Sequence, residues 1–213
     1  LPQGQALKIT SWNVGFGAYS DDYSFFMDGG TESRARSKEA VIKNISGMID
    51  RLKTLNPDFM LLQELDTDAT RSHHVNEREM AEKAFPEMSA AFAVNYHSAY
   101  LFYPFLEPHG ASDAGILTLA DCEIESAIRR SLPVETGLTK FLDLDRCYSV
   151  SRIPVSNGKT LCLYNLHLSA YTSDGTIAND QLEMLIADMQ AEYEAGNYVV
   201  GGGDFNKDLL GDS

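Results

Sequence analysis

Leu7-Lys8-Ile9-Thr10-Ser11-Trp12 has the pattern of a short strand, and Val41, Ile45, Met48, Ile49, Leu52 and Leu55 then recur at helical spacing until Asn56-Pro57 stops the helix. The apolar run Phe59-Met60-Leu61-Leu62 follows at once and reads as a strand buried on both faces. Strand, helix and buried strand in that order make a parallel crossover, which fixes the direction of both strands. The end of the chain repeats the pattern. Leu161–Leu166 is a strand, Leu182, Leu185, Ile186, Met189 and Tyr193 form a helical stripe, Gly196 suits a helix C-cap, and Tyr198-Val199-Val200 is a second buried strand. Asn13 and Glu64 leave the first pair of strands, and His167 and Asp204 leave the second. The carboxyl edge of a parallel pair is where open α/β sheets place ligands. If the two sheets pack face to face, the four polar groups converge.

Between the crossovers, from about Ala91 to Val155, short β-branched and aromatic runs predict antiparallel strands without a comparable helix. Asn157-Gly158 predicts a type I′ hairpin turn, and counting outward from it pairs Cys162 with Ile153. A Cys147–Cys162 disulfide is therefore not expected. No repeat, low-complexity tract or flexible linker interrupts the chain, so all of residues 1–213 are expected to form one domain. Three cysteines without metal-like spacing indicate neither a disulfide framework nor a zinc site. No window approaches the ~18 unbroken apolar residues of a membrane span. Leu1-Pro2-Gln3 lacks an initiator Met, which suggests removal of an upstream signal or anchor and an extracytoplasmic location. The net charge of −14 repels polyanions, which disfavours a protein that binds nucleic acid by charge.

Gly201-Gly202-Gly203-Asp204-Phe205-Asn206 is the sharpest local feature. The glycines let backbone approach a ligand at a strand end, and in extended chain Asp204 and Asn206 point the same way. A carboxylate beside a carboxamide suits holding and deprotonating a water next to a phosphate. The same residues also suit a strand-to-loop turn in which both side chains cap backbone groups.

Ser11-Trp12-Asn13, Gln63-Glu64, Asn165-Leu166-His167-Leu168 and Gly203-Asp204-Phe205-Asn206, in that order, resemble the endonuclease/exonuclease/phosphatase superfamily with the deoxyribonuclease I-like fold. The match runs from Leu7 to Asn206. It implies an α/β (α+β) four-layer sandwich, with two mixed β-sheets packed face to face and helices outside. It also implies a divalent cation, Mg²⁺ or Mn²⁺, and phosphoester hydrolysis. By resemblance, Glu64 is the metal ligand and Asn13 orders the metal site or phosphate. His167 contacts the scissile phosphate, Asp204 orients or deprotonates the attacking water, and Asn206 holds phosphate or water in line. Tyr103, Asp113 and Arg146 are candidate substrate contacts. Tyr103 belongs to an aromatic run with Tyr100, Phe102 and Phe105, Asp113 enters a strand, and Arg146 clusters with Arg129, Arg130 and Arg152. His73-His74 with Asp66 and Asp68 makes a conceivable metal cluster, although adjacent histidines in a polar loop more often face solvent.

The resemblance also implies a final Ser-Asp-His-like motif, and no histidine follows His167. The expectation is that the chain is a piece lacking its C-terminal strands. The expected function is a metal-dependent phosphodiesterase or phosphatase acting on a small or lipid-linked phosphate. A metal-dependent endonuclease is the alternative that the charge disfavours. A binding module that has lost the terminal Asp-His pair is the alternative of another class.

Overall fold

The computed structural model describes residues 1–102, 104, 106–134, 145–170 and 176–206, with only the backbone described at 99 and 100. Two mixed four-stranded sheets pack face to face. The first has the order β1 (Ile9–Asn13), β2 (Phe59–Ala69), β4 (Gly110–Ala120), β3 (Ser89–Leu101). The second runs β5 (Ser126–Ser131), β6 (Cys147–Pro154), β7 (Thr160–His167), β8 (Tyr198–Asp204). Both expected crossovers form: β1 is parallel to β2, β7 is parallel to β8, and every other pairing is antiparallel.

Alternation along the strands builds the four layers. In β2, Met60 and Leu62 pack towards α1 (Lys38–Leu55) and α2 (Glu77–Ala84), while Phe59 and Leu61 meet Ile153, Leu161 and Leu163 between the sheets. In β7, Leu161 and Leu163 face that middle layer, and Cys162, Tyr164 and Leu166 face α3 (Thr176–Glu194). Helix α1 starts where the Ser37 side chain accepts the Ala40 N–H and ends at Asn56, which adopts φ 45° before Pro57. Val41, Ile45, Met48, Ile49 and Leu52 form its buried stripe. The short α2 was not expected from the sequence, because its eight residues bury only Glu77 and Ala81 and show no long apolar period.

Three expectations need correction. β2 does not end at Glu64 but continues to Ala69 through two register shifts. The Asn157-Gly158 turn is a three-residue loop in which only Gly158 has positive φ, at 81°, and Val155 pairs with Lys159. That added residue moves the register by one, pairing Cys162 with Arg152, and all three cysteines are free. Packing requires glycine at two positions of β8. A Cβ at Gly202 would lie 2.9 Å from Leu61 Cδ1 across the sheets, and one at Gly203 would lie 2.1 Å from the Leu166 carbonyl oxygen.

Candidate active site

Parallel pairing places Asn13 beside Gln63 at the end of one pair and His167 beside Asp204 at the end of the other. Buried amides tie the sheets together just beneath. Gln63 Nε2 donates to Asn165 Oδ1 at 2.8 Å, and Asn165 Nδ2 donates to the Leu117 carbonyl at 3.0 Å. With this floor fixed, the four strand ends open into one cavity of about 390 Å³.

Glu64 reaches that cavity because of a bulge. Leu62 and Leu65 both pack on the helix side, so Glu64 is the added residue, held at φ 58°, and its side chain turns out of the alternation. Asn13 Nδ2 then donates to Glu64 Oε1 at 3.1 Å and to Asp204 Oδ2 at 2.8 Å. One carboxamide thus bridges carboxylates from both sheets, its orientation fixed by the Gly15 N–H donated to Asn13 Oδ1 at 3.0 Å. His167 is 3% exposed, with Nε2 3.7 Å from Glu64 Oε1 and 3.8 Å from Asp204 Oδ2. Burial holds its pKa well below the ordinary histidine value, and the charges of Arg146 and Arg71 push in the same direction, so the ring is neutral at pH 7.

Asn206 adopts φ 47°, so the Asp-Phe-Asn segment is not extended as expected. Its backbone N–H donates to Asp204 Oδ1 at 2.9 Å and its Nδ2 donates to the Leu168 carbonyl at 2.8 Å. This Asx-type turn sets the Asp204 carboxylate and closes the loop onto the strand before it.

Asn13, Glu64, Arg146, His167, Asp204 and Asn206 all line the cavity. Asp113 does not: it is an ion-pair partner of His97 on the surface. The structural reason is that its strand neighbour Ala114 lines the cavity, which turns Asp113 to the opposite face. Tyr103 lies outside the described residues. The imagined His73-His74 cluster does not form, because Asp66 pairs with Arg71, Asp68 with His74, and His73 with the Ala35 carbonyl. Arg152 and Arg130 pair with Glu192 and Asp188 of α3. Sequence reasoning missed Tyr19, Arg71, Asn95, Tyr96 and His109, which also line the cavity. His109 donates through Nδ1 to the Ser33 carbonyl, and burial, with help from Arg71, lowers its pKa to about 3.

The sequence itself matches a family model. The chain belongs to the endonuclease/exonuclease/phosphatase family, whose model covers residues 10–210. Members of that family are phosphoester hydrolases and generally use divalent metals. Among solved structures, the human Nocturnin catalytic domain with bound sulfate is similar over 96% of this chain and 65% of that one, with 14% identity and TM-score 0.62. An endonuclease/exonuclease/phosphatase from Beutenbergia cavernae is similar over 96% and 49%, with 16% identity and TM-score 0.63. ANGEL2, a 2′,3′-cyclic phosphatase, is similar over 98% and 58%, with 16% identity and TM-score 0.61. The chain thus spans between about half and two-thirds of the length of these three structures. No curated protein sequence matches it.

The donor set fits a hard divalent cation. Glu64 and Asp204 offer carboxylate oxygens side by side, each about a quarter exposed, and they share one Asn13 N–H₂ group. No group of three or more His, Cys, Asp or Glu forms a closed cage among the described residues. One or two carboxylates with water in the remaining positions is the usual Mg²⁺ arrangement, whereas zinc prefers nitrogen and sulfur donors. No described helix is long and apolar enough to cross a membrane.

Proposed function

We propose that this protein is a divalent-metal-dependent phosphoester hydrolase acting on a small or lipid-linked phosphate. The observation that carries the proposal is the Asn13 carboxamide bridging Glu64 and Asp204 beside a neutral buried His167. Mg²⁺ or Mn²⁺ held by Glu64, with Asn13 orienting the carboxylate, would neutralise phosphate charge as a Lewis acid. Asp204, fixed by the Asn206 backbone N–H, orients the attacking water and takes its proton. Asn206 acts here as a positioning residue, since its own amide is bonded to Leu168. His167, uncharged, donates a hydrogen bond to the phosphoryl oxygen on which negative charge builds. Nε2 lies beyond hydrogen-bond distance of both carboxylates, at 3.7 Å and 3.8 Å, which supports its hydrogen bond being available to substrate.

The net charge of −14 supports a small or lipid-linked phosphate over nucleic acid, because a polyanion would meet a net repulsive field. A panel of phosphomonoesters, small phosphodiesters and phospholipid headgroup esters, assayed with Mg²⁺, Mn²⁺, Ca²⁺ and chelator, tests the proposal. The expected result is hydrolysis of at least one class that chelation abolishes. Phosphate binding without turnover on any substrate would instead support a non-catalytic binding module.

A further inference from the structure

Arg71 is 7% exposed and lines the cavity, yet it was not among the residues the motifs pointed to. Its Nε and Nη2 donate to Asp66, at 3.0 Å to Oδ2 and 2.7 Å to Oδ1, and its guanidinium carbon lies 4.2 Å over the Phe16 ring. A guanidinium has two edges that can each grip a pair of oxygens. Asp66 occupies the side edge. The end edge, formed by Nη1 and the second hydrogen of Nη2, has no hydrogen-bond partner among the described residues. Asp66 is itself fully buried, and its backbone N–H donates to the buried Glu77 at 3.0 Å, so the pair cannot swing away without breaking the bulged part of β2.

Asn95 makes a second, independent observation. It is 2% exposed, lines the same cavity, and its Nδ2 is buried without a hydrogen-bond partner among the described residues. It sits at the register shift between Val94 and Tyr96, where a bulge in β3 turns its side chain out of the strand alternation. A buried amide donor left unbonded costs stability, and this one belongs to a residue that lines the cavity. Both groups offer N–H and neither offers a competing charge, so what they fit is an anion with several oxygens on one centre.

We propose that Arg71 and Asn95 form a phosphoryl-binding subsite of this cavity. The Arg71 end edge takes two non-bridging oxygens of one phosphate, and Asn95 Nδ2 donates to the same group. Asp66 and Phe16 hold the guanidinium in place before the ligand arrives. This deepens the proposed hydrolase function by naming donors for its substrate, and the anion held is either the scissile phosphate or a second phosphate on the same molecule.

Two variants separate this from a structural role. Asp66→Asn/Arg71→Met removes the guanidinium without stranding a buried carboxylate, and Asn95→Leu removes the amide at similar volume. Asn95→Leu is expected to melt at or above the wild-type temperature, because it deletes an unsatisfied buried donor. By calorimetry, inorganic pyrophosphate is expected to bind about 10-fold more weakly to Asn95→Leu, which loses one hydrogen bond, and at least about 100-fold more weakly to the Arg71 variant, which loses two charge-assisted ones. Turnover is compared on thymidine 5′-(p-nitrophenyl phosphate) with and without a 3′-phosphate. Equal loss on both assigns the subsite to the scissile group, and loss only on the 3′-phosphorylated compound assigns it to a second phosphate. Pyrophosphate affinity unchanged in both folded variants overturns the subsite. Failure of the wild type to hydrolyse either compound counts against the hydrolase function alone, since the binding measurement stands without turnover.

Discussion

Gly203→Ala isolates the backbone device that places Asp204. Gly203 has φ 145°, a region that side-chain-bearing residues rarely adopt, and an added Cβ would lie 2.1 Å from the Leu166 carbonyl oxygen and 2.8 Å from the Leu166 nitrogen. Both contacts are backbone, so no side-chain rotation relieves them. Strained φ/ψ costs about 1–3 kcal/mol, and forced overpacking adds about 1–3 kcal/mol. The sum, roughly 4 kcal/mol, is a large share of the ~5–15 kcal/mol that stabilises a typical domain. At about 2–4 °C per kcal/mol for a chain of this size, the melting temperature should fall by roughly 8–16 °C. Gly196→Ala is the control, because Gly196 has φ 90° with nothing within 4 Å of an added Cβ. It bears the conformational cost without the clash. Thermal melts of the two variants side by side provide the assay. A Gly203→Ala melt within 2 °C of Gly196→Ala would refute the claim that the β7–β8 approach requires glycine.

Asn13→Ala removes both bonds that join Glu64 to Asp204, and after discounting for their partial exposure it should cost roughly 2 kcal/mol in denaturant melts. Asn13→Asp should cost more, because it sets a third carboxylate between two others, and equal stability of the two variants would count against that electrostatic account. His109 titrates near 3 when folded, well below its unfolded value of about 6.5. The unfolded chain therefore takes up the proton first as the medium acidifies. The stability His109 contributes is complete above about pH 6.5 and is lost as pH falls towards 3. By pH 4.5 the loss should reach roughly 2–3 kcal/mol, and His109→Phe should flatten that part of the profile. Parallel pH profiles of wild type and variant would argue against a buried neutral His109.

Much of the fold was legible because both crossovers announce themselves by period. The α1 stripe, the Asn56-Pro57 stop and the apolar run after it fix strand directions, and direction alone puts Asn13, His167 and Asp204 at one edge. What stayed hidden lies where chain geometry departs from regular alternation. Asn95 enters the cavity at a register shift, and so does Glu64, whose motif placed it at the site without the bulge that turns it there, because a bulge leaves no period in the sequence. The one-residue error in the β6–β7 hairpin has the same origin, since Asn157-Gly158 is compatible with both a two-residue turn and the three-residue loop that forms. Arg71 carried no motif, and its place in the cavity follows only from its pairing with Asp66 five residues earlier. Asp113 was misplaced because its side of β4 depends on that strand's register with β2, which the sequence does not reveal.

Whether residues from two sheets act as one hydrolytic site is decided most directly at Asp204. The measurement is metal-dependent hydrolysis of bis(p-nitrophenyl) phosphate by the intact protein and by Asp204→Ala at matched folded fraction. Asp204 is the carboxylate assigned to the attacking water, so the rate should fall by roughly 10²–10³, the loss that follows when a preorganised catalytic group is removed. A folded Asp204→Ala protein that hydrolyses the diester at the wild-type rate would contradict the account.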